Sequence, residues 1–243
     1  DNVKGKVQSK TSLHLDIAED LDNQGGKLIA QDGDLNLKAT NLDNRGGELA
    51  SLKAALDARV VGVLRNDLAG VIQGQRLNLN AGSIDNAGGR ISAQTGDAFI
   101  ATGSFDNRDG SLFAKGLLKV TGNSFDNSGE LGGRVAAQQV SLDLSGALNN
   151  HKGIIESASA LNVSAASVDN RAGQLRTVGN SGNTLFQIGG LLDNRDGSLE
   201  SANTNLTLLA GSFQNAGGKV LHSGSGTFAI DPSLLDNVGG SLV

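Results

Sequence analysis

Aspartate side chains recur along the chain about once every twenty residues, and carboxylates in such a series could bind calcium. They are Asp22, Asp43, Asp85, Asp106, Asp126, Asp169, Asp193 and Asp236. Calcium needs six to eight oxygen ligands that converge on one point, whereas one carboxylate per repeat forms a line. The nine-residue glycine-rich calcium repeat is also absent. The series therefore argues against a metal site.

Side chains for acid–base catalysis are present but scattered. Glycoside cleavage needs two carboxylates a few ångströms apart, and the glutamates that could serve fall in different repeats: Glu48, Glu130, Glu156 and Glu200. The chain has no Trp or Tyr to stack on a sugar. The histidines are His14, His151 and His222. They are too far apart in the sequence for a metal site or a catalytic triad. We expect no enzyme activity and no cofactor, with His151 a solvated surface residue.

Composition excludes further classes of protein. The chain of 243 residues has a net charge of −5 without a basic patch, so nucleic acid is not an expected partner. No apolar run is long enough to span a membrane. Cysteine is absent, which suits either the cytosol or a chain that crosses an oxidising compartment unfolded.

The asparagine that follows these aspartates is the most regular feature of the sequence. It recurs twelve times at spacings of 20 to 24 residues, as Asn2, Asn23, Asn44, Asn66, Asn86, Asn107, Asn127, Asn150, Asn170, Asn194, Asn215 and Asn237. Similarity at a fixed period is typical of a solenoid. The repeats therefore predict one continuous domain over residues 1–243 rather than several compact units.

Apolar residues keep fixed places around each asparagine. One stands two residues before it and another five residues after it, while a third stretch alternates strictly, as in LNLKA from Leu35. Alternation with a period of two predicts strands. A helix from Ser51 to Leu64 is the one competing interpretation, and the flanking repeats favour a strand there. We predict an all-β fold, a right-handed parallel β-helix of about twelve coils of roughly 21 residues each.

The sequence motif around each asparagine also has a physical explanation. With the preceding apolar residue facing inwards, alternation places the aspartate outside and the asparagine inside. Stacked asparagine amides can then pass hydrogen bonds from coil to coil, which predicts a structural asparagine ladder. The pair of glycines that follows should supply the positive φ of a sharp turn.

Two coils are longer than the rest and predict loops on the surface of the rod. Their candidate binding residues are Ser128, Gly129, Glu130 and Leu131 in the first loop, and Val178, Gly179, Asn180, Ser181, Gly182 and Asn183 in the second. Insertions in solenoids often carry function. The competing interpretation is that each loop is only a tolerated insertion at a turn, and the sequence favours this interpretation over a binding role. The coil from Asn66 has lost its glycine pair.

The tandem LDNxGG units separated by LxLxA strands resemble the repeats of the filamentous haemagglutinin family, from Asn2 to Val243. This family comprises large exoproteins of Gram-negative two-partner secretion, including adhesins and the stalks of contact-dependent growth inhibition toxins. The resemblance implies a filament that is secreted or displayed at the bacterial cell surface. It also implies two partners, an outer-membrane two-partner secretion transporter during export and a host or neighbouring bacterial cell surface. It supplies no catalytic residues.

The resemblance leads to one functional expectation and one alternative. The chain is expected to be a structural filament segment that projects distal binding or toxin domains. The alternative is a segment that itself binds a receptor through its irregular coils. Neither end has the polar cap of a finished solenoid, so we expect an excised fragment of a longer array that either frays at its terminal coils or self-associates end to end.

Overall fold

The computed structural model describes residues 1–243 and contains strands and turns but no helix. Twenty-four strands form a single sheet that winds along the molecule. In chain order they are β1 Lys6–Ser9, β2 Leu13–Asp16, β3 Leu21–Asp22, β4 Lys27–Ala30, β5 Leu35–Ala39, β6 Leu42–Asp43, β7 Glu48–Ser51, β8 Ala55–Arg65, β9 Val71–Gly74, β10 Arg76–Asp85, β11 Arg90–Ala93, β12 Ala98–Asp106, β13 Ser111–Asp126, β14 Arg134–Leu144, β15 Ala147–Asn149, β16 Ile154–Ala165, β17 Ser167–Asp169, β18 Gln174–Thr177, β19 Asn183–Asp193, β20 Ser198–Ser201, β21 Asn205–Gln214, β22 Lys219–His222, β23 Phe228–Asp236 and β24 Ser241–Leu242.

Every pairing between strands is parallel and joins equivalent residues of successive repeats. In the first face β1 pairs with β4 and β4 with β7, so that Val7, Leu28 and Leu49 stack on one another. In the second face β2 pairs with β5, and in the third β3 pairs with β6. Each repeat therefore forms one coil with three strand segments, and the predicted all-β parallel solenoid is confirmed.

The core is a narrow column of stacked side chains that runs through successive coils. It contains 48 buried apolar residues, mostly Leu, Val, Ile and Ala. Phe105 and Phe125 take the same place in neighbouring coils and stack with ring centroids 4.9 Å apart. Identical or similar side chains at one register position give a core without large voids, which is how a thin rod can reach interior packing density.

The segment from Ser51 to Leu64, for which a helix is the competing interpretation, contains the end of β7, a bend at residues 52–54 and most of β8. A coil does not always contain three separate strands. The strands of the second and third faces are often joined into one bent strand. β10, for example, runs from Arg76 through Gly82 to Asp85. Small residues at this corner let the chain bend without a turn. The structure contains no helix that could span a lipid bilayer.

Candidate functional site

The twelve asparagines form an unbroken column of hydrogen-bonded amides. In each of eleven steps the Nδ2 of one asparagine donates to the Oδ1 of the next, at 2.6 to 2.8 Å. The ten asparagines from Asn23 to Asn215 are fully buried. All eleven bonds point in the same direction along the rod, so the amide dipoles are aligned and can strengthen one another.

The same amides also contact backbone carbonyl oxygens at the corner of each coil. The Nδ2 of Asn23 donates to the carbonyl oxygen of Gly26 in its own coil at 3.2 Å and lies 3.4 Å from that of Glu48 in the next. This arrangement recurs along the column, and only Asn107 lacks both contacts. A buried amide with partners on every side costs little to bury, so the column holds the corner together.

The two glycines of the repeat have different roles, which corrects the expectation that both supply a positive φ. The first does so, as at Gly88 with φ +65°, but non-glycine residues such as Asp109 (φ +55°) and Ala172 (φ +53°) also occupy this position. The second glycine, for example Gly89, has no positive φ. A Cβ there would collide with the backbone oxygen of Asn66 in the preceding coil.

Every coil has a glycine at this second position, including the irregular ones, where Gly70 and Gly133 fill it. The sequence interpretation that the coil from Asn66 has lost its glycine pair is therefore incomplete. In that coil Leu68 and Ala69 take positive φ values of 52° and 64°, which lets Gly70 reach the place that requires a glycine.

Most of the aspartates before the asparagines are half-buried turn caps, whereas Asp193 is buried and Asp236 at the end of the rod is exposed. In a regular coil the Oδ1 accepts the backbone N–H two residues on, as Asp85 does from Ala87 at 3.1 Å and Asp106 from Arg108 at 2.9 Å. Asn149 takes the same role with an amide oxygen. This local bond fixes the entry to the turn, so the column is structural and does not converge into a metal site.

Four of these aspartates also bind the arginine two residues on. Arg45, for example, reaches Asp43 through both Nε and Nη2, at 2.9 and 2.6 Å. Burial would raise the pKa of Asp43, but the hydrogen bonds and charge of Arg45 outweigh it and lower that pKa. Asp169 shows the same balance with Arg171 and also has a lowered pKa.

The loop that contains Ser128, Gly129, Glu130 and Leu131 is held in place by a residue of the preceding coil. The side chain of Asp109 accepts the backbone N–H groups of Leu131 at 2.8 Å and Gly132 at 3.0 Å, with Glu130 at 3.4 Å. Ser128 is buried and donates to Asp126. Leu131 is 87% exposed, so an ordered backbone presents an apolar side chain to solvent.

The second loop is shorter than the sequence suggested. Val178, Gly179, Asn180, Ser181 and Gly182 lie outside the strands, but Asn183 is the first residue of β19. The Oδ1 of Asn183 accepts a hydrogen bond from Asn205 in the next coil at 2.8 Å, because the strand pairing already begins there. Whether either loop binds a partner stays a prediction.

The irregular coil from Asn66 contains an unusual carboxylate. The Oδ1 of Asp67 is buried and has no hydrogen-bond partner. Burial, and secondarily the nearby Asp85 carboxylate, raise the pKa of Asp67. No group of three or more His, Asp or Glu side chains in the structure could hold a metal ion.

The other candidate catalytic residues remain apart. Three of the four glutamates pair with a cation of a neighbouring coil, Glu48 with Lys27, Glu156 with Arg176 and Glu200 with Lys219, while Glu130 lies in its loop. His151 is less exposed than a fully solvated surface residue, because its ring is half-buried with a buried Nδ1. Its turn packs against the next coil.

One surface feature had no clear signal in the sequence. Val61 is an extra residue in β8 relative to β10, which shifts the register beside Ala81, and it is 81% exposed. Beside it lies a shallow groove of about 420 Å³, whose polar lining includes Arg59 and Asn80. The coil length of 22 residues is compatible with this bulge but does not locate it.

Comparison with known proteins identifies the repeats. The family model described as Haemagglutinin repeat matches five overlapping segments, residues 2–59, 56–109, 95–152, 134–196 and 181–229. No match was found among curated proteins or solved structures. The matched segments together include every asparagine of the column from Asn2 to Asn215. The chain belongs to the haemagglutinin repeat family.

Proposed function

We propose that the chain is a structural filament segment of a large secreted or surface-displayed bacterial adhesin or contact-dependent growth inhibition exoprotein. In this role it projects distal binding or toxin domains away from the cell. The observation that carries the proposal is the continuity of the asparagine column and the apolar core through all the coils. Each coil is fixed to its neighbours by equivalent contacts, which suits a stiff spacer.

Further features support a filament that is exported before it folds. Haemagglutinin repeats are typical of secreted or surface-exposed proteins. The absence of cysteine leaves no thiol to form a wrong disulfide during passage through an oxidising compartment. We propose that an outer-membrane two-partner secretion transporter exports the chain and that the full-length protein meets a host or neighbouring bacterial surface.

The loop at Leu131 supports the alternative that this segment itself binds a receptor. A tolerated insertion needs no dedicated cap, but the side chain of Asp109 accepts hydrogen bonds from this loop. An ordered loop that presents one apolar side chain loses little conformational entropy on binding. This is the specific reason to test the loop rather than another part of the rod.

Binding of the purified chain to candidate host and bacterial cells tests both functions. A passive spacer should bind no better than an unrelated β-solenoid of similar charge. If the chain does bind, the receptor alternative predicts that Leu131→Ser abolishes binding, whereas Leu68→Ser, a change at another exposed turn leucine, leaves it intact. Equal loss in both variants would exclude a specific role for the Leu131 loop.

A further inference from the structure

The interior of the solenoid becomes polar at the base of the loop Val178–Gly182. Thr177 and Thr184 flank this loop, and both side chains are buried, at 3% and 2% exposure. Thr184 occupies the inward position that holds Leu161 in the preceding coil and Leu206 in the following one. A hydroxyl group therefore interrupts a column of apolar side chains, and it needs hydrogen-bond partners there.

Three hydroxyl groups satisfy one another in a ring. Thr177 Oγ1 lies 3.0 Å from Thr184 Oγ1 and donates to Ser201 Oγ at 3.0 Å, and Ser201 Oγ lies 2.8 Å from Thr184 Oγ1. Each hydroxyl has one hydrogen to donate. A closed ring with Thr177 donating to Ser201, Ser201 to Thr184 and Thr184 to Thr177 uses all three.

Asn203 completes the cluster but is itself incompletely bonded. Its side chain is fully buried, and its Nδ2 donates to Thr184 Oγ1 at 3.1 Å. Its Oδ1 is also buried and accepts no hydrogen bond from the protein. The ring leaves no hydroxyl hydrogen for it, and the nearby His222 Nε2 contacts the backbone oxygen of Asn203 instead, at 3.0 Å.

We infer that a buried water molecule donates a hydrogen bond to Asn203 Oδ1 and belongs to the folded structure at this corner. A buried amide oxygen without a donor is unfavourable by about 1–3 kcal/mol, and ordered water is the usual donor where protein groups are absent. In the closed ring the Oγ1 of Thr177 and the Oγ of Ser201 each keep one free lone pair, and the Nδ2 of Asn203 keeps a second hydrogen. This internal hydration site goes beyond the proposed filament role.

A crystal structure of the unaltered chain at about 1.5 Å resolution or better provides the direct test. We expect a water molecule about 2.7 to 3.2 Å from Asn203 Oδ1. In solution, magnetisation transfer from water to the side-chain amide of Asn203 should have the sign of a long-lived bound water. A protein donor at Oδ1, or a peak ringed by oxygens at metal-ligand distances, would overturn the inference, as would an absence of both signals.

Two variants separate this site from general hydration of the polar cluster. Asn203→Leu removes the acceptor, and the water should disappear from the crystal structure. Thr177→Val opens the hydroxyl ring without touching Asn203, so the water should remain. Persistence of the water in Asn203→Leu would contradict its assignment to Oδ1. Should that variant fail to fold, the measurements on the unaltered chain still decide.

Discussion

The side-chain amide of each inner asparagine has partners in both neighbouring coils, and all of them except Asn107 also bond within their own coil. The Nδ2 of Asn86, for instance, donates to Asn107 Oδ1 at 2.7 Å, while its Oδ1 accepts from Asn66. The preceding Asp85 has one local bond, to the N–H of Ala87. The two adjacent residues therefore contribute to stability through different numbers of contacts.

Asn86→Ala should destabilise the chain more than Asp85→Ala. The first change leaves the buried Oδ1 of Asn107 without its donor, at about 1–3 kcal/mol, and leaves the Nδ2 of Asn66 with only its backbone acceptors. The second removes a half-exposed turn bond, at about 0.5–1.5 kcal/mol. Urea unfolding followed by circular dichroism measures both. Equal shifts in the two midpoints would contradict the inward position of the asparagine.

The two glycines of one repeat provide a second matched comparison. Gly88→Ala places a Cβ in open space and meets only the backbone strain of a positive φ, about 1–2 kcal/mol. Gly89→Ala drives a Cβ into the backbone oxygen of Asn66, and the coils must separate locally, which should cost more. Thermal melting of the two variants checks the order, and a larger effect at Gly88 would refute the steric explanation.

The carboxylates of Asp67 and Asp169 should respond to pH with opposite signs. The raised pKa of Asp67 means that its ionised form destabilises the fold near neutral pH, so Asp67→Asn should raise the melting temperature at pH 7. This gain should shrink as pH falls through the raised pKa and vanish below the unfolded value of about 3.9.

Asp169 is the control for this prediction. Its lowered pKa means that the ionised form stabilises the fold above the unfolded value of about 3.9. Asp169→Asn should therefore lower the melting temperature at pH 7, and the loss should fade as pH falls through the lowered folded pKa. Melting curves from pH 7 to about pH 2 in one buffer series test both variants. Parallel pH profiles for the two would contradict the assigned shifts.

At the scale of the element, one turn position holds an aspartate in two coils, and only one of the two aspartates caps a loop. Asp109 and Asp196 both have a positive φ, 55° and 56°, but only Asp109 accepts hydrogen bonds from a loop. Asp109→Gly should speed amide hydrogen exchange at Leu131 and Gly132 by at least about tenfold, because hydrogen bonds to a charged group contribute about 1.5–3 kcal/mol.

Asp196→Gly relieves the same backbone strain and breaks no loop contact. Amide hydrogen exchange around residue 196 should therefore stay unchanged in this variant. Asp109→Asn keeps an acceptor oxygen and should protect the loop in part. Amide exchange followed by mass spectrometry or NMR measures the difference. Unchanged protection of Leu131 in Asp109→Gly would show that the loop does not depend on this cap.

The strands that repeat could be predicted from the sequence, and the contacts that occur once could not. The strand β8 is predicted correctly from the sequence, in spite of residues that favour a helix, because the neighbouring repeats fix its register. The cap joins Asp109 to Leu131 in the following coil and occurs once in the rod, so the repeat pattern of the sequence does not predict it. The hydroxyl ring at Thr184 depends on two neighbouring coils stacking with Thr177 opposite Ser201, and residue types alone do not indicate that it closes.

At the scale of the whole molecule, the direction of the asparagine column gives the rod a polarity. Asn237 at one end keeps an Nδ2 that donates only within its own coil, and the Oδ1 of Asn2 at the other end accepts no donor. The terminal coils also expose apolar side chains that inner coils would cover. Half-buried Leu13 and Leu15 lie at one end, and half-buried Ile230 and exposed Leu235 lie at the other. A donor end and an acceptor end are complementary, whereas two like ends are not.

We therefore propose that isolated chains associate head to tail, with Asn237 donating to Asn2 of a second copy. The strand register would then place Ser241 directly over Lys6 of that copy, since both lie four residues after their asparagine. Stacked Cα atoms about 4.8 Å apart are within reach of a disulfide. The chain has no native cysteine, so Lys6→Cys and Ser241→Cys can report on the contact.

Under mild oxidation a mixture of the two single-cysteine variants should yield the mixed disulfide dimer. Each variant alone should give far less, because head-to-tail stacking keeps identical positions at opposite ends of a rod. Sedimentation velocity of the unaltered chain should show association that increases with concentration. Predominant Lys6→Cys homodimers would mean that acceptor ends meet each other. In that case the amide column would have no influence on assembly, and apolar burial at the ends alone would direct it.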